Sequence, residues 1–250
     1  MKSILKELLC VIVILVRIQF VAEAQTNIHK FQFGLNAGMF VYQGDLTPSA
    51  IGSYKTLKPA LILFASKFMG PSFAVRANLA LGALRGNDAV YSHPEYRQQR
   101  NFNFLSPVVE ASAIGEWNVL GRNYISRGFS PYVFAGGGIS VVRIKRDYSN
   151  LNTEYFGETS ELTTGLATDL RRRPPSVLLV MPVGAGVRYY FSDRIGVSGE
   201  TTYRLMRSDY LDGFSQAANP KRGDHYFSHT VGVVYRIGKK NLMECPVIKY

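Results

Sequence analysis

Apolar and polar residues alternate with period two through most of this chain. From Ser72 to Gly86 one parity carries Phe73, Val75, Ala77, Leu79, Leu81 and Ala83, and the other carries Arg76, Asn78 and Gly82. Successive side chains of a β-strand point to opposite faces, so this reads as a long strand with one apolar face. The same pattern marks Phe31–Tyr42, Leu105–Val119, Pro131–Lys145, Val177–Phe191, Ile195–Arg207 and His225–Ile237. Thr56–Met69 is apolar on both parities, so it reads as a strand whose register is open.

Two architectures share such a pattern. A soluble sandwich or lipocalin-like barrel turns its apolar face inward; a transmembrane barrel turns it outward and fills the lumen with polar groups. Three features favour the second. The strands reach the ~9–11 residues that a spanning strand needs. The polar parity carries full charges of both signs: Arg76, Glu110, Glu116, Arg188, Glu200, Arg204 and Arg236. Aromatics (Tyr189, Phe191, Tyr203, Phe227 and Tyr235) fall near strand ends, where an interfacial girdle would sit. Connection lengths agree. Residues 43–55, 87–101, 146–175 and 208–223 are long, whereas Gly70-Pro71 and Ser192-Asp193 are tight turns. Long external loops opposite short periplasmic turns, with an even strand number, place both termini in the periplasm. Leu120–Ser130 is longer than a tight turn on that short side. The expected fold is all-β: an eight-stranded antiparallel transmembrane β-barrel in the cell outer membrane.

The N-terminus sets the compartment. Lys2 and Lys6 precede an apolar run from Leu8 to Val16, and Ala22-Glu23-Ala24 supplies small residues before Gln25. That is the layout of a cleavable signal peptide. The competing reading is an anchoring helix, but the run is shorter than the ~20 residues that span a bilayer. The expected divisions are a signal peptide at 1–24, a barrel at 25–238 and a periplasmic C-terminal tail at 239–250. Cys10 falls inside the apolar run, which leaves Cys245 as the only mature cysteine and excludes an intrachain disulfide. The net charge of +11 fits nucleic acid, an anionic membrane surface or an acidic partner. Export removes nucleic acid. Outer-membrane lipid and lipopolysaccharide remain as partners, with no small-molecule substrate.

In a barrel of eight strands the interior is just wide enough to be filled by side chains. The seven inward charges therefore read as an ion-pair network that closes the lumen, which argues against a diffusion pore. No cofactor or metal site is expected. Asp45, Asp209, Asp212 and Asp224 lack the spacing of a calcium loop. His225 and His229 lie on the outward parity whereas Ser228 and Glu200 lie inward, so no Ser-His-acid constellation assembles and no catalytic residue is assigned. Gly136-Gly137-Gly138 reads as relief around an inward ring, Tyr132 or Phe134. Arg171-Arg172-Arg173, at the end of the longest loop, is either a solvated loop end or a grip on lipopolysaccharide phosphates.

Several segments resemble the PorG-like outer-membrane barrels of Bacteroidota. Tyr42-Gln43-Gly44-Asp45-Leu46-Thr47-Pro48 is similar to that family's first external loop, and Ser130–Gly138 to its central strand. Pro182–Tyr189 with Ser192-Asp193-Arg194 resembles its hairpin; Arg204–Asp212 resembles a strand exit, and Cys245-Pro246 the short tail. Ile195 stands where the family often has Trp. The resemblance implies a non-enzymatic component of the type IX secretion system that partners periplasmic secretion-ring proteins. Arg122, Arg127 and Cys245 then become the candidate periplasmic docking residues. The alternative is a stand-alone barrel that binds surface glycan or lipopolysaccharide through its external loops.

Overall fold

The computed structural model describes residues 30–172, 174–206, 211–218 and 224–238. The expected signal peptide, the tail with Cys245, and also Arg173 and Asp209, lie outside the described residues.

Eight long strands follow the alternation. They are β1 (Phe31–Gln43), β2 (Lys58–Phe68), β3 (Phe73–Asn87), β4 (Asn103–Asn118), β5 (Gly128–Val142), β7 (Val177–Tyr190), β8 (Ile195–Met206) and β9 (His225–Ile237). A three-residue strand, β6 (Lys145–Asp147), follows β5. Each long strand pairs antiparallel with its chain neighbours, and β1 pairs with β9, so the sheet closes on itself. Closure leaves no long strand edge unpaired. Phe31 faces Ile237, so the described chain enters and leaves at one rim, here the entry rim. The other rim carries the four long connections and is the loop rim.

The expected boundaries shift in places. β5 starts at Gly128, earlier than Pro131, and ends at Val142; Lys145 belongs to β6, which extends the same ladder along β4. The connection at the entry rim is therefore 119–127 rather than 120–130. The register of β2 is settled by its partners. Leu61, Leu63 and Ala65 face out, while Ala60, Ile62, Phe64, Ser66 and Phe68 are buried inside. One local break occurs. The β5–β7 ladder runs to Ala135↔Val183 and resumes at Gly138↔Val180. Pro182 lies in the gap and has no N–H to give the ladder.

The two faces of the wall differ as a membrane requires. Outward residues of β4 are Leu105, Pro107, Val109, Ala111, Ala113, Gly115 and Trp117, all exposed and none charged. About twelve residue steps of strand at ~3.4 Å each, tilted by ~45°, give an apolar band about 30 Å tall, the thickness of a hydrocarbon core. Inward residues of the same strand include Glu110 and Glu116, both buried. At the entry rim Phe129 stacks against Tyr189, and Tyr189 against Phe191, all on the outer wall. Tyr203 and Phe227 pair on the outer wall near the loop rim. This is a transmembrane barrel, and four of its five expected aromatics fall in two interfacial clusters.

Candidate functional site in the lumen and at its rims

The waist of the lumen holds a closed charge cluster. Arg76 on β3 reaches Glu200 across the barrel on β8 through both nitrogens, at 2.6 and 3.0 Å, and Glu116 on β4 at 3.0 Å. Glu116 also accepts from Arg188 on β7 at 2.6 Å. The Tyr132 hydroxyl donates to Glu200. Two cations and two anions thus balance. Nearer the loop rim Arg204 pairs with Glu110, which also accepts from the Tyr226 hydroxyl at 2.8 Å.

Six of the seven expected lumen charges meet in these two groups. Arg236 is buried but joins neither group. Its guanidinium lies 3.3 Å over the Tyr190 ring and donates to the Ile125 carbonyl at 2.6 Å. It sits next to the strand's end at the entry rim. The other lumen arginines also rest on inward rings: Arg76 on Phe64 at 3.7 Å, Arg188 on Tyr132 at 3.8 Å and Arg204 near Tyr226 at 5.1 Å. A ring face attracts a cation most where water is excluded. Of these rings the alternation marks Tyr132 as inward, but it does not show which arginine rests on which ring.

Glycines paired with these rings on the adjacent strand make this stacking possible. A Cβ on Gly186 would lie 2.6 Å from the Tyr132 hydroxyl, and one on Gly184 would lie 2.5 Å from the Phe134 ring and 2.4 Å from the Thr201 carbonyl. Gly34 clears Phe64 in the same way. Relief around Tyr132 and Phe134 therefore comes from β7, not from Gly136-Gly137-Gly138. Gly136 and Gly138 instead lie against the backbone of β4.

The loop rim is sealed by a hydrophobic plug. Tyr42, Leu46, Leu84, Phe102, Phe104, Leu211, Phe214 and Tyr226 belong to one buried cluster, with Phe102 stacked on Phe214 at 4.3 Å. Polar groups tie the loops over it. Asp88 accepts from Arg97 at 2.8 Å and Arg100 at 2.6 Å, both on the short helix α1 (Tyr96–Arg100). Burial works against the Arg100 charge, but the Asp88 hydrogen bond and charge prevail and hold its pKa above the ordinary value. Asp169, on the helix α3 (Glu161–Arg171) that follows the four-residue α2 (Thr153–Phe156), accepts from the Gln216 and Ala217 N–H groups at 2.9 Å. The Tyr42 hydroxyl lies 2.7 Å from Asp212 and 2.8 Å from Asp224. Two of the loop aspartates considered for calcium thus bind a tyrosine. Among the described residues no group of three His, Cys, Asp or Glu side chains is placed to hold a metal ion.

The entry rim is sealed by the connection 119–127. Asn118 accepts the Leu120 and Arg122 N–H groups at 3.1 and 3.0 Å, which turns the chain inward. Asn123 donates to Gly70 at 2.9 Å and Phe73 at 3.2 Å, which pins the segment over the β2–β3 turn. Tyr124 then meets Phe68 edge-on, and Ile125 packs on Phe64, Tyr190 and Val234. The extra length of this connection makes the plug. Arg122 and Arg127 lie on its outer surface.

On the outer wall His229 accepts or donates at both ring nitrogens, to Thr201 at 3.1 Å and to Tyr54 at 2.9 Å. Ser228 is inward, bound to Arg204 at 2.7 Å, so it stays apart from both histidines. Arg171 ends α3, and the Arg172 carbonyl is 3.5 Å from Arg146.

An apolar wall, a neutral charge-filled waist and two packed rims define an eight-stranded transmembrane β-barrel with a sealed lumen. The chain belongs to the family described as "Domain of unknown function (DUF6089)", whose model matches residues 6–245. No curated protein matches it. Among solved structures it is similar to Ail, the attachment invasion locus protein of Yersinia pestis, in complex with the heparin analogue sucrose octasulfate. That match has 11% identity and TM-score 0.43, and covers 83% of this chain and 99% of that one. It is also similar to Neisserial surface protein A, with 13% identity, TM-score 0.44, and 83% and 97% of the two chains covered. A third is a major outer membrane protein from Thermus thermophilus, with 11% identity, TM-score 0.44, and 83% and 99% covered.

Proposed function

We propose that this protein is a non-enzymatic outer-membrane scaffold whose entry rim faces the periplasm and anchors periplasmic components of a protein secretion machine. The observation that carries this is the double seal. A lumen closed by the protein's own side chains conducts nothing, so function falls to the surfaces at its two rims. At the entry rim the 119–127 plug is held rigid by Asn118 and Asn123 while it presents Arg122 and Arg127. A rigid segment loses little entropy when it docks. The resemblance to PorG-like barrels makes the type IX secretion ring the partner of choice, with Cys245, outside the described residues, as a further candidate docking residue. Co-purification of ring proteins with a tagged chain, lost in an Arg122→Glu/Arg127→Glu variant, is the expected result. Clean purification without them, together with intact secretion in a deletion strain, would sink the proposal.

A second reading rests on the loop rim, where Tyr96, Tyr148 and Tyr155 are exposed on ordered loops, an arrangement suited to stacking on surface sugars. Deleting residues 146–175 would be a poor test, because Leu166 and Asp169 belong to the plug. Tyr155→Ala spares the plug. Loss of glycan binding in that variant, with the secretion phenotype intact, would favour this reading over the first.

A further inference from the structure

The outer wall carries cations where its apolar band ends. On β3 the outward series Leu79, Leu81, Ala83 ends in Arg85. Arg85 stands opposite Leu105, and Leu105 stands opposite Lys145 on β6. Arg143 precedes Lys145 on the same face, one strand residue pair below, where its N–H bonds to Pro107 at 3.1 Å. At ~4.8 Å between strands, Arg85 and Lys145 stand about 10 Å apart. None of the three side chains makes a hydrogen bond or ion pair among the described residues; the partners of Arg85 and Arg143 are backbone contacts only. Asp147, further up β6, is turned to Ser149, whose N–H and hydroxyl hold its pKa below the usual carboxylate value.

Their height is informative. Leu105 is the last apolar outward residue of β4 before the loop rim, about 30 Å above the Trp117 level on the tilted strand. The three cations therefore lie at the level of lipid headgroups. Below them the wall is unusually smooth. Ala65, Ala77, Ala113 and Gly137 stand in one continuous register row across four strands, all outward. Ala111, Gly115 and Ala135 adjoin that row. Acyl chains can lie flush against such a surface while a headgroup sits above.

We infer that the β3–β4–β5 face at the loop rim is a binding site for a phosphorylated glycolipid of the surrounding leaflet. Arg85, Arg143 and Lys145 grip the phosphates, and the small-residue strip receives the acyl chains. Arginine matches phosphate oxygens with two parallel N–H donors, and each cation near an anionic surface strengthens binding by about fivefold. The inference rests on the membrane reading of the barrel but not on docking at the entry rim, and its test needs no secretion partner.

The test uses the full mature chain in neutral phosphatidylcholine nanodiscs, titrated with bisphosphorylated lipid A, with bound lipid counted by native mass spectrometry. We expect R85Q/R143Q/K145Q to lose about a hundredfold in apparent affinity. K30Q/K67Q/R194Q, with its substitutions at exposed positions of the entry rim, keeps wild-type binding. Should the triple variant fail to show a folded, heat-modifiable band, the exposed single R143Q carries the test with an expected loss of about fivefold. Equal binding by wild type and R85Q/R143Q/K145Q, or by wild type and R143Q where the triple variant does not fold, overturns the inference. So does equal binding of dephosphorylated lipid A. Displacement of the lipid by millimolar inorganic phosphate would assign the site to the free anion and overturn the lipid as its occupant.

Discussion

Glu116→Gln removes one negative charge from a waist cluster that is neutral as built. The consequence falls unevenly. Arg76 keeps its two bonds to Glu200, whereas among the described residues Arg188 forms an ion pair with Glu116 alone, at 2.6 Å. Two unit charges about 4 Å apart attract by about 4 kcal/mol at an effective dielectric of ~20. Glutamine retains an acceptor oxygen, so part of the hydrogen bond survives, but the buried Arg188 guanidinium loses its paired carboxylate. Removing one partner of a buried pair costs about 3–5 kcal/mol, and we place this variant near 3. Arg188→Met added to Glu116→Gln removes the orphaned charge and is expected to return stability to within about 1.5 kcal/mol of wild type. The assay is urea unfolding in lipid vesicles. It is followed by the fluorescence of Trp117, the sole tryptophan, which faces lipid. With a slope near 2 kcal/mol per molar, the single variant's midpoint falls by about 1.5 M. A single variant within about 1 kcal/mol of wild type, or a double variant less stable than the single, refutes the claim that the cluster is held by charge balance.

Asp88→Asn should loosen the loop rim without opening the barrel. It takes from Arg97 and Arg100 the carboxylate they share, at a cost of about 3–5 kcal/mol, and limited proteolysis should show new cleavage within 88–102 while the heat-modifiable band persists. Gly184→Ala should destabilise the barrel by about 1–3 kcal/mol in the same urea assay, because its Cβ meets the Thr201 carbonyl as well as Phe134 and a backbone oxygen cannot swing aside. Tyr124→Gly/Ile125→Gly empties the entry plug yet should give no steady current in planar bilayers, since the waist cluster and the loop plug still close the lumen. A steady current in that variant would show that the entry plug alone is the seal.

Much of the fold was legible in the sequence, and the reason is local. Each strand meets two environments, lipid and lumen, and its own alternation reports both. Strand number, the inward side of Glu110 or Arg204 and the contrast of long and short connections all follow from residues adjacent in the chain. What those residues touch does not. Arg76 meets Glu200 from a position 124 residues away, and only the closed register decides that they share a height in the lumen. For the same reason the sequence could group Arg236 with the other charges but could not show that it stands apart, over Tyr190. β2, apolar on both faces, had no parity of its own, and its neighbours' hydrogen-bond registers chose one. The glycines of β7 looked like the glycines of β5 until the inward rings were placed. The plugs were the least legible, because a loop that folds back into a barrel obeys no period. The length of 119–127 signalled that something needed explaining, and only the positions of Tyr124, Ile125 and the Arg236 guanidinium supplied the reason.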